Sequence, residues 1–372
     1  MTRILPGATI GIIGGGQLGR MMGLAAKEAG FKIAVLDPTE HSPCGQIADI
    51  QIVAPYNDED ALQRLADVSD VITYEFENID YEGLRELMKE AYIPQGAELI
   101  RITQDRMSEK REIRASGAPV APYVEAETFE QLESRIDEIG FPCIVKTAFG
   151  GYDGKGQVKV DRKEDLEEAR HLFTHSACIA EAFIPFEKEV SIIIQRNVDG
   201  ETACLPMAEN IHVNHILHES IVPARTTTSV EEKAKRAAQQ IADHLQLVGT
   251  LAVEMFVLED GEIVINELAP RPHNSGHYSI EACNVSQFHQ HIRAICNWPL
   301  REPKLWAPVI MVNVLGQHVE PLLKEIPNYP DWSIHLYGKE EAKQDRKMGH
   351  VTIMTDSIEN TLKEIDQTTI WK

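Results

Sequence analysis

Along the first hundred positions, short apolar runs alternate with stretches in which apolar residues recur at helical spacing. Ala8 to Gly14 is a continuous run of strand length. Between Gln17 and Ala29 the apolar residues fall at 18, 21, 22, 25, 26 and 29, a single helical stripe closed by Gly30. Residues 32–37, 50–56 and 70–76 read as further strands, with helices near 58–66 and 81–91. Strand and helix in strict alternation predict an α/β unit, a doubly wound parallel sheet over residues 1–102.

Beyond residue 102 the pattern becomes α+β. Thr103 is expected to cap a helix that runs to Ser116 and stops at Gly117. An extended segment at 119–123 and a helix over 129–139 precede strands at 141–148 and 157–160. A helix over 163–173, a strand at 177–184 and a hairpin of 188–196 with 201–208 come next. Ser229 and Glu232 read as the capping box of a helix over 230–247. Two apolar runs then flank Asp260 and Gly261, the strongest short hairpin signal in the chain. With those two as the loop, Glu254 faces Glu267, their Cβ atoms roughly 4.5–5.5 Å apart. Phe256 and Ile265 would share that face, and Val253, Met255, Val257, Val264 and Leu268 the other. A helix over 279–296, a break expected at 297–303, and short strands at 309–316, 333–338 and 349–355 complete the chain. The expected division is 1–102, 103–298 (with a lid over about 118–184) and a small β-rich unit, 299–372.

Composition narrows the partners. The 372 residues are 43% apolar and 25% charged, ordinary for a globular protein, with a formal net charge of −22. That charge argues against nucleic acid and anionic membranes, which need a basic footprint, and leaves small phosphorylated molecules open. The N-terminus lacks the pattern of a signal peptide and no run reaches the length of a membrane span. Six dispersed cysteines without a CxxC read as reduced thiols, so cytoplasm is the expected location.

Candidate chemistry clusters at a few places. Like charges facing in apolar surroundings need a proton or a cation between them, so Glu254 and Glu267 suggest a Mg²⁺ site shared with phosphates. Arg271, His273 and Asn274 follow in a proline-rich loop and read as anion-binding groups. Lys146 lies inside an apolar strand and needs an anion or a route to water. The segment from Phe149 to Gln157 carries four glycines and Lys155 between two strands, a loop whose amides can cover phosphates although it is not a Walker A motif. Arg106, placed where a cation opposes the helix dipole, hints at an outside anion. Gly14, Gly16 and Gly19 with Asp37 fit the dinucleotide fingerprint, which on its own favours an NAD-dependent oxidoreductase. Glu75 and Glu77 stand at the carboxyl end of a strand, where open α/β sheets bind ligands. His212, His215 and His218 suggest zinc only weakly, because a strand would split them between two faces. Lys339, Arg346 and Lys347 make a basic cluster in an acidic chain.

A strand-borne lysine, a glycine-rich strand–loop–strand, a glutamate at a strand end and two facing carboxylates together resemble the ATP-grasp superfamily. Within it, GIIGGGQLGRM, YEFEN, KTAFGGYDGKGQ and NELAPRPHNSGHYSIEAC look like the 5-(carboxyamino)imidazole ribonucleotide synthase family. The resemblance spans nearly the whole chain. It implies a Rossmann-like pre-ATP-grasp domain, a central ATP-grasp fold of two α+β subdomains and a small β-rich C-terminal domain. It implies an ATP- and Mg²⁺-dependent ligase that carboxylates aminoimidazole ribonucleotide with bicarbonate through carboxyphosphate, and a homodimer. Carried over by motif, ATP would be held by Arg106, Lys146, Gly151, Tyr152, Asp153, Gly154, Lys155, Gly156, Gln157, Glu181, Ala182, Phe183, Ile184, Glu189, His212, Asn266 and Glu267. Mg²⁺ would lie on Glu254 and Glu267. The ribonucleotide would meet Gln17, Leu18, Glu75 and Asp153, its phosphate on Lys339 and Arg346. Arg271, His273 and Asn274 would grip bicarbonate, and the released phosphate, Asp153 and His273 are the candidate acceptors of the amine proton. The alternative in the same superfamily is a formate-using phosphoribosylglycinamide transformylase.

Overall fold

The computed structural model describes residues 3–150, 156–174 and 176–372. Strands β1 (Thr9–Ile13), β2 (Lys32–Asp37), β3 (Ile50–Val53) and β4 (Val71–Tyr74) form a parallel sheet in the order β3-β2-β1-β4. Helix α1 (Gln17–Glu28) packs its apolar stripe on one face, while α2 (Glu59–Val68) and α3 (Tyr81–Leu87) cover the other. The alternating reading of the first hundred residues therefore holds.

Two adjoining helices follow, α4 (Glu98–Gln104) and α5 (Arg106–Ala115). The cap between them is Asp105, whose carboxylate accepts from Met107 N at 3.0 Å. Thr103, the expected cap, is inside α4 and donates its hydroxyl back to Leu99 O at 2.9 Å. Next, β5 (Tyr123–Ala126), α6 (Phe129–Arg135), β6 (Cys143–Thr147), β7 (Gln157–Val160) and β8 (Cys178–Ala182) build an antiparallel sheet, order β5-β8-β6-β7. The helix expected at 163–173 is a run of 3-10 turns, Lys163–Thr174, that packs with α6 on this sheet.

The rest of the chain is organised by one nine-stranded sheet. Its members are β9 (Lys188–Arg196), β10 (Thr202–Cys204), β11 (Ala208–Val213), β12 (Ile216–Val222), β13 (Gly249–Val257), β14 (Ile263–Ala269), β15 (Val309–Leu315), β16 (Ser333–Leu336) and β17 (Lys347–Met354). The order is β14-β13-β9-β11-β12-β15-β17-β16, with β10 paired to β9. Helix α7 (Thr228–His244) covers β9, β13 and β14 through its Ala and Ile stripe. It begins two residues earlier than expected, because Thr227 rather than Ser229 supplies the cap, accepting from Val230 N at 3.4 Å. The single helix expected over 279–296 is two, α8 (Ser279–Ala282) and α9 (Gln287–Ile295), the second capped by Ser286. Helix α9 lays Phe288, Ile292 and Ile295 against the first sheet. The short α10 (Val319–Glu325) and α11 (Ile358–Gln367) close the C-terminal strands.

Candidate active site

Glu254 faces Glu267, by a route that differs from the expected one. The hairpin loop has three residues, not two: Leu258 N donates to Glu262 O and Gly261 N to Leu258 O, each at 2.9 Å. Gly261 takes a φ of 77°, as the left-handed position of such a loop requires. The third loop residue shifts the register by one, so Met255 faces Ile265 and Phe256 faces Val264. Continued unchanged, it would set Glu254 against Asn266 and turn Glu267 to the core face. A bulge after Ile265 takes up Asn266 and restores the pairing of Glu254 with Glu267 and Val253 with Leu268. Ile265 is accordingly not on the carboxylate face; it is buried with Val253, Met255 and Val257, and Val264 takes its place opposite Phe256. Phe186 stacks on Phe256, ring centroids 4.4 Å apart.

The two carboxyls differ in electrostatic surroundings. Burial opposes charge on Glu254, but His273, whose Nε2 stands 3.0 Å from Glu254 Oε1, together with His212 and Arg271 holds it below the usual carboxylate range. Partial loss of hydration between the two sheets and the facing charge of Glu254 push Glu267 up, although the residue itself is exposed. A pair in this state keeps one proton or takes a cation.

Across the cleft, Glu181 at the end of β8 receives two ammonium groups. Lys146 Nζ lies 2.8 Å from Oε1 and Lys110 Nζ 2.8 Å from Oε2. Burial opposes its charge, and the two lysines nevertheless hold it down to about 2. Lys110, a fully buried lysine on α5, also donates to Asn266 O at 2.6 Å. Arg106 at the start of α5 donates to Thr147 O at 2.9 Å and to Gly150 O, so it anchors the beginning of the glycine-rich loop. Ala182, Phe183 and Ile184 continue from Glu181 toward β9; Ala182 N donates to Pro122 O and Phe183 N to Pro142 O. Gly156 is at the foot of the loop and gives its carbonyl to Thr147 N; Gln157 pairs with Lys146 in the sheet. Gly151, Tyr152, Asp153, Gly154 and Lys155 lie outside the described residues.

His212 Nδ1 contacts Glu189 Oε2 at 2.8 Å on neighbouring strands, next to the carboxylate pair. His215 belongs to the β11–β12 turn, where Asn214 and His215 both take positive φ, and His218 stacks edgewise near Trp371. The three histidines do not converge, and among the described residues no group of three or more His, Cys, Asp or Glu could hold a metal ion. Arg271 makes a two-pronged pair with Glu77, Nε to Oε2 at 2.6 Å and Nη2 to Oε1 at 3.2 Å. His273 Nδ1 is 2.9 Å from Ser275 Oγ. Asn274 is buried and both polar atoms of its side chain lack a hydrogen-bond partner within the protein, a site with unspent hydrogen-bonding capacity.

The first glycine loop is closed by protein carboxylates. Gly15 N donates to Asp37 Oδ2 at 2.7 Å, and Gly16 N and Gly19 N donate to the two oxygens of Glu75 at 2.6 Å each. Asp37 also accepts from Tyr56 Oη and Thr39 N. The amides and the acid that would have read a dinucleotide are spent on each other, which removes the structural basis of the oxidoreductase reading. Leu18 packs its side chain in the core, so only its backbone faces the loop, while Gln17 opens α1 half-buried. Lys339 reaches this loop from the C-terminal strands. Burial and the nearby Arg346 lower it to about 8 against the pull of Glu75. Arg346 lies exposed beside it, donating to Glu341 O at 3.0 Å.

Lys110, Glu109 and the pairing role of Glu77 escaped the sequence reading. The signal for the first two was present: adjacent opposite charges at 109 and 110, on the face of α5 that also carries the buried Ile113.

Comparison with known proteins agrees with this geometry. The ribonucleotide synthetase preATP-grasp domain matches residues 7–104, the ATP-grasp domain 111–288 and the phosphoribosylaminoimidazole carboxylase C-terminal domain 309–364. The chain is similar to N5-carboxyaminoimidazole ribonucleotide synthase of Bacillus subtilis (strain 168), 51% identical over 97% of this chain and 95% of that protein. Among solved structures it resembles an ADP complex of N5-carboxyaminoimidazole ribonucleotide synthetase, at 60% identity, 100% and 99% coverage and a TM-score of 0.97. It also resembles the Aspergillus clavatus enzyme in complex with ADP and 5-aminoimidazole ribonucleotide, at 32% identity, 96% coverage of each chain and a TM-score of 0.88.

Proposed function

The chain belongs to the N5-carboxyaminoimidazole ribonucleotide synthase family of ATP-grasp ligases, and from that membership we propose how its residues divide the reaction. The enzyme carboxylates 5-aminoimidazole ribonucleotide at the expense of ATP in purine biosynthesis. The observation that carries the assignment of roles is the opposition of the Glu254–Glu267 pair to Lys146, Glu181 and Arg106 across one cleft.

The nucleotide lies between the lid sheet and the nine-stranded sheet. Lys146, Arg106 and the loop from Gly151 to Gln157 face its phosphates, residues Glu181 to Ile184 and Glu189 with His212 line the rest, and Asn266 and Glu267 close the phosphate end. Glu254 and Glu267 would hold Mg²⁺. Two hard carboxylates, one of them pushed toward protonation by the other, fit a divalent cation whose remaining ligands are phosphate oxygens and water. When bound, Mg²⁺ neutralises charge on the transferring phosphoryl group.

Bicarbonate is a poor electrophile. Its oxygen attacks the γ-phosphorus, ADP leaves, and the carboxyphosphate formed presents a carbon with phosphate as leaving group. Arg271, fixed by Glu77, and the unpartnered side-chain amide of Asn274 grip the bicarbonate. His273, engaged at both ring nitrogens by Ser275 and Glu254, acts as an orienting group. The exocyclic amine of the ribonucleotide attacks the carbon, the bond to phosphate breaks, and the departing phosphate takes the amine proton, a role that Asp153 could share by its place in the motif. The ribonucleotide rests against Gln17, the Leu18 backbone and the Glu75-braced loop, with its phosphate on Lys339 and Arg346. Exclusion of water from the space between the two sheets would protect carboxyphosphate from hydrolysis. We further assign a homodimer in the cytoplasm, for which sedimentation velocity supplies the first check.

ATP turnover decides between the superfamily readings. ADP release with aminoimidazole ribonucleotide plus bicarbonate, and none with glycinamide ribonucleotide plus formate, is the expected result. Turnover only with formate would overturn it.

A further inference from the structure

β14 is the outer strand of the nine-stranded sheet, and its bulge lies one residue from Glu267. A bulge on an outer strand strands backbone polar groups that no neighbouring strand can satisfy. Here they are met from outside the sheet. Ile265 N donates to Pro119 O at 2.8 Å, Asn266 O accepts from Lys110 Nζ at 2.6 Å, and Leu268 N donates to Glu109 Oε2 at 3.3 Å. Adjacent residues of α5 thus bracket Glu267, one from each side. The ammonium of Lys110, 2% exposed, also lies 2.8 Å from Glu181 Oε2, whose other oxygen takes Lys146. One buried ammonium therefore joins α5, the bulge of β14 and the end of β8 in the lid sheet.

We propose that Glu109 and Lys110 are positioning residues: Lys110 couples the place of Lys146 to the place of Glu267, and Glu109 fixes the strand on the far side of Glu267. The inference rests on the reading of Lys146 and Glu267 as nucleotide and metal ligands. Lys110 without its charge leaves Asn266 O unpaired in a buried site and leaves Glu181 to Lys146 alone, so both halves of the site relax together.

ADP affinity of the full-length protein, measured by calorimetry with Mg²⁺ and again with a chelator, separates the parts. Wild type is expected to bind ADP in chelator and to gain affinity with Mg²⁺. K110M, folded by circular dichroism, is expected to bind ADP more weakly in chelator and to lose about tenfold or more of the Mg²⁺ gain. E109L is expected to lose Mg²⁺ gain only, and E109Q, which keeps an oxygen acceptor for Leu268 N, to retain it. A folded K110M with wild-type affinity in both buffers overturns the inference. Should K110M not fold, E109L and E109Q decide: an equal Mg²⁺ gain in the two overturns it. A wild type that binds no ADP, or gains nothing from Mg²⁺, would instead sink the ligase site itself.

Discussion

Glu254 and Glu267 are the same residue type a side chain apart, yet their surroundings send them in opposite directions. Positive groups on the His273 side hold Glu254 ionised, whereas Glu267 faces that charge and retains its proton above the range where a free glutamate ionises, about 4.3. A cation must expel that proton to bind, so metal affinity rises with pH until Glu267 ionises unaided. The Mg²⁺-dependent gain in ADP affinity should therefore increase from mildly acid to alkaline buffer, while binding in chelator changes much less. E267Q should abolish the gain at every pH and leave the protein folded. Calorimetric titrations across that series test both, and a gain independent of pH would place the metal elsewhere. Read from the sequence, the facing of these carboxylates came out right through two compensating departures, a longer loop and a bulge. No local signal revealed either, because a bulge is set by what meets the outer edge of β14, here Lys110 and Glu109.

At the level of elements, alternation and spacing located most strands but not β11 and β12, and α4 was missed, while the starts of α5 and α7 moved by two or three residues. Thr103 and Ser229 have the right chemistry for caps, but Asp105 and Thr227 are the ones whose side chains meet the first free amides. Several residues near a helix start can cap it, and packing of the stripe chooses among them. The glycine loop after β1 shows the same limit: its spacing resembles a dinucleotide site, while Asp37 and Glu75, from the ends of β2 and β4, fill it. That loop and the segment carrying Lys339 and Arg346 form the ribonucleotide side of the site in our reading. R346A should raise the ribonucleotide KM several-fold, with ATP KM near wild type, since the loss of one exposed cation removes binding without touching the Glu181 network. Steady-state kinetics with each substrate varied in turn checks this; a defect confined to ATP would move Arg346 to the nucleotide.

Over the whole molecule, the C-terminal segment is part of the central sheet. β12 pairs with β15, and β17 and β16 extend the sheet beyond it. Ile221 of β12 is buried with Ile310, Val312 and Val351, and Trp371 donates to Asn313 O at 2.8 Å. A chain cut after residue 298 would expose that edge and the apolar face of β12, a patch of the kind that drives aggregation. It should be insoluble or lack a cooperative melting transition, as judged by yield and calorimetry, despite retaining every residue assigned to ATP. Recovery of a folded, ADP-binding fragment would show the central unit to be self-sufficient. The same continuity brings the segment carrying Lys339 to the N-terminal unit, where Gln46, between β2 and β3, donates to Gly338 O at 2.7 Å.

What the sequence determined by itself is local in origin: periodicity, glycine and proline punctuation, and long motifs that carried the resemblance to ATP-grasp ligases. These depend on neighbours in the chain, so they are written in order. The tertiary structure alone decided which groups share a charge or a hydrogen bond: Lys110 with Glu181, Glu77 with Arg271, Glu75 with the glycine amides, His273 with Glu254. Buried charges and stranded amides are satisfied by whatever the fold brings near, at separations in the chain of 56 to 194 residues for the glycine and arginine contacts. No spacing rule reaches that far, and at those contacts the site acquires its electrostatic character.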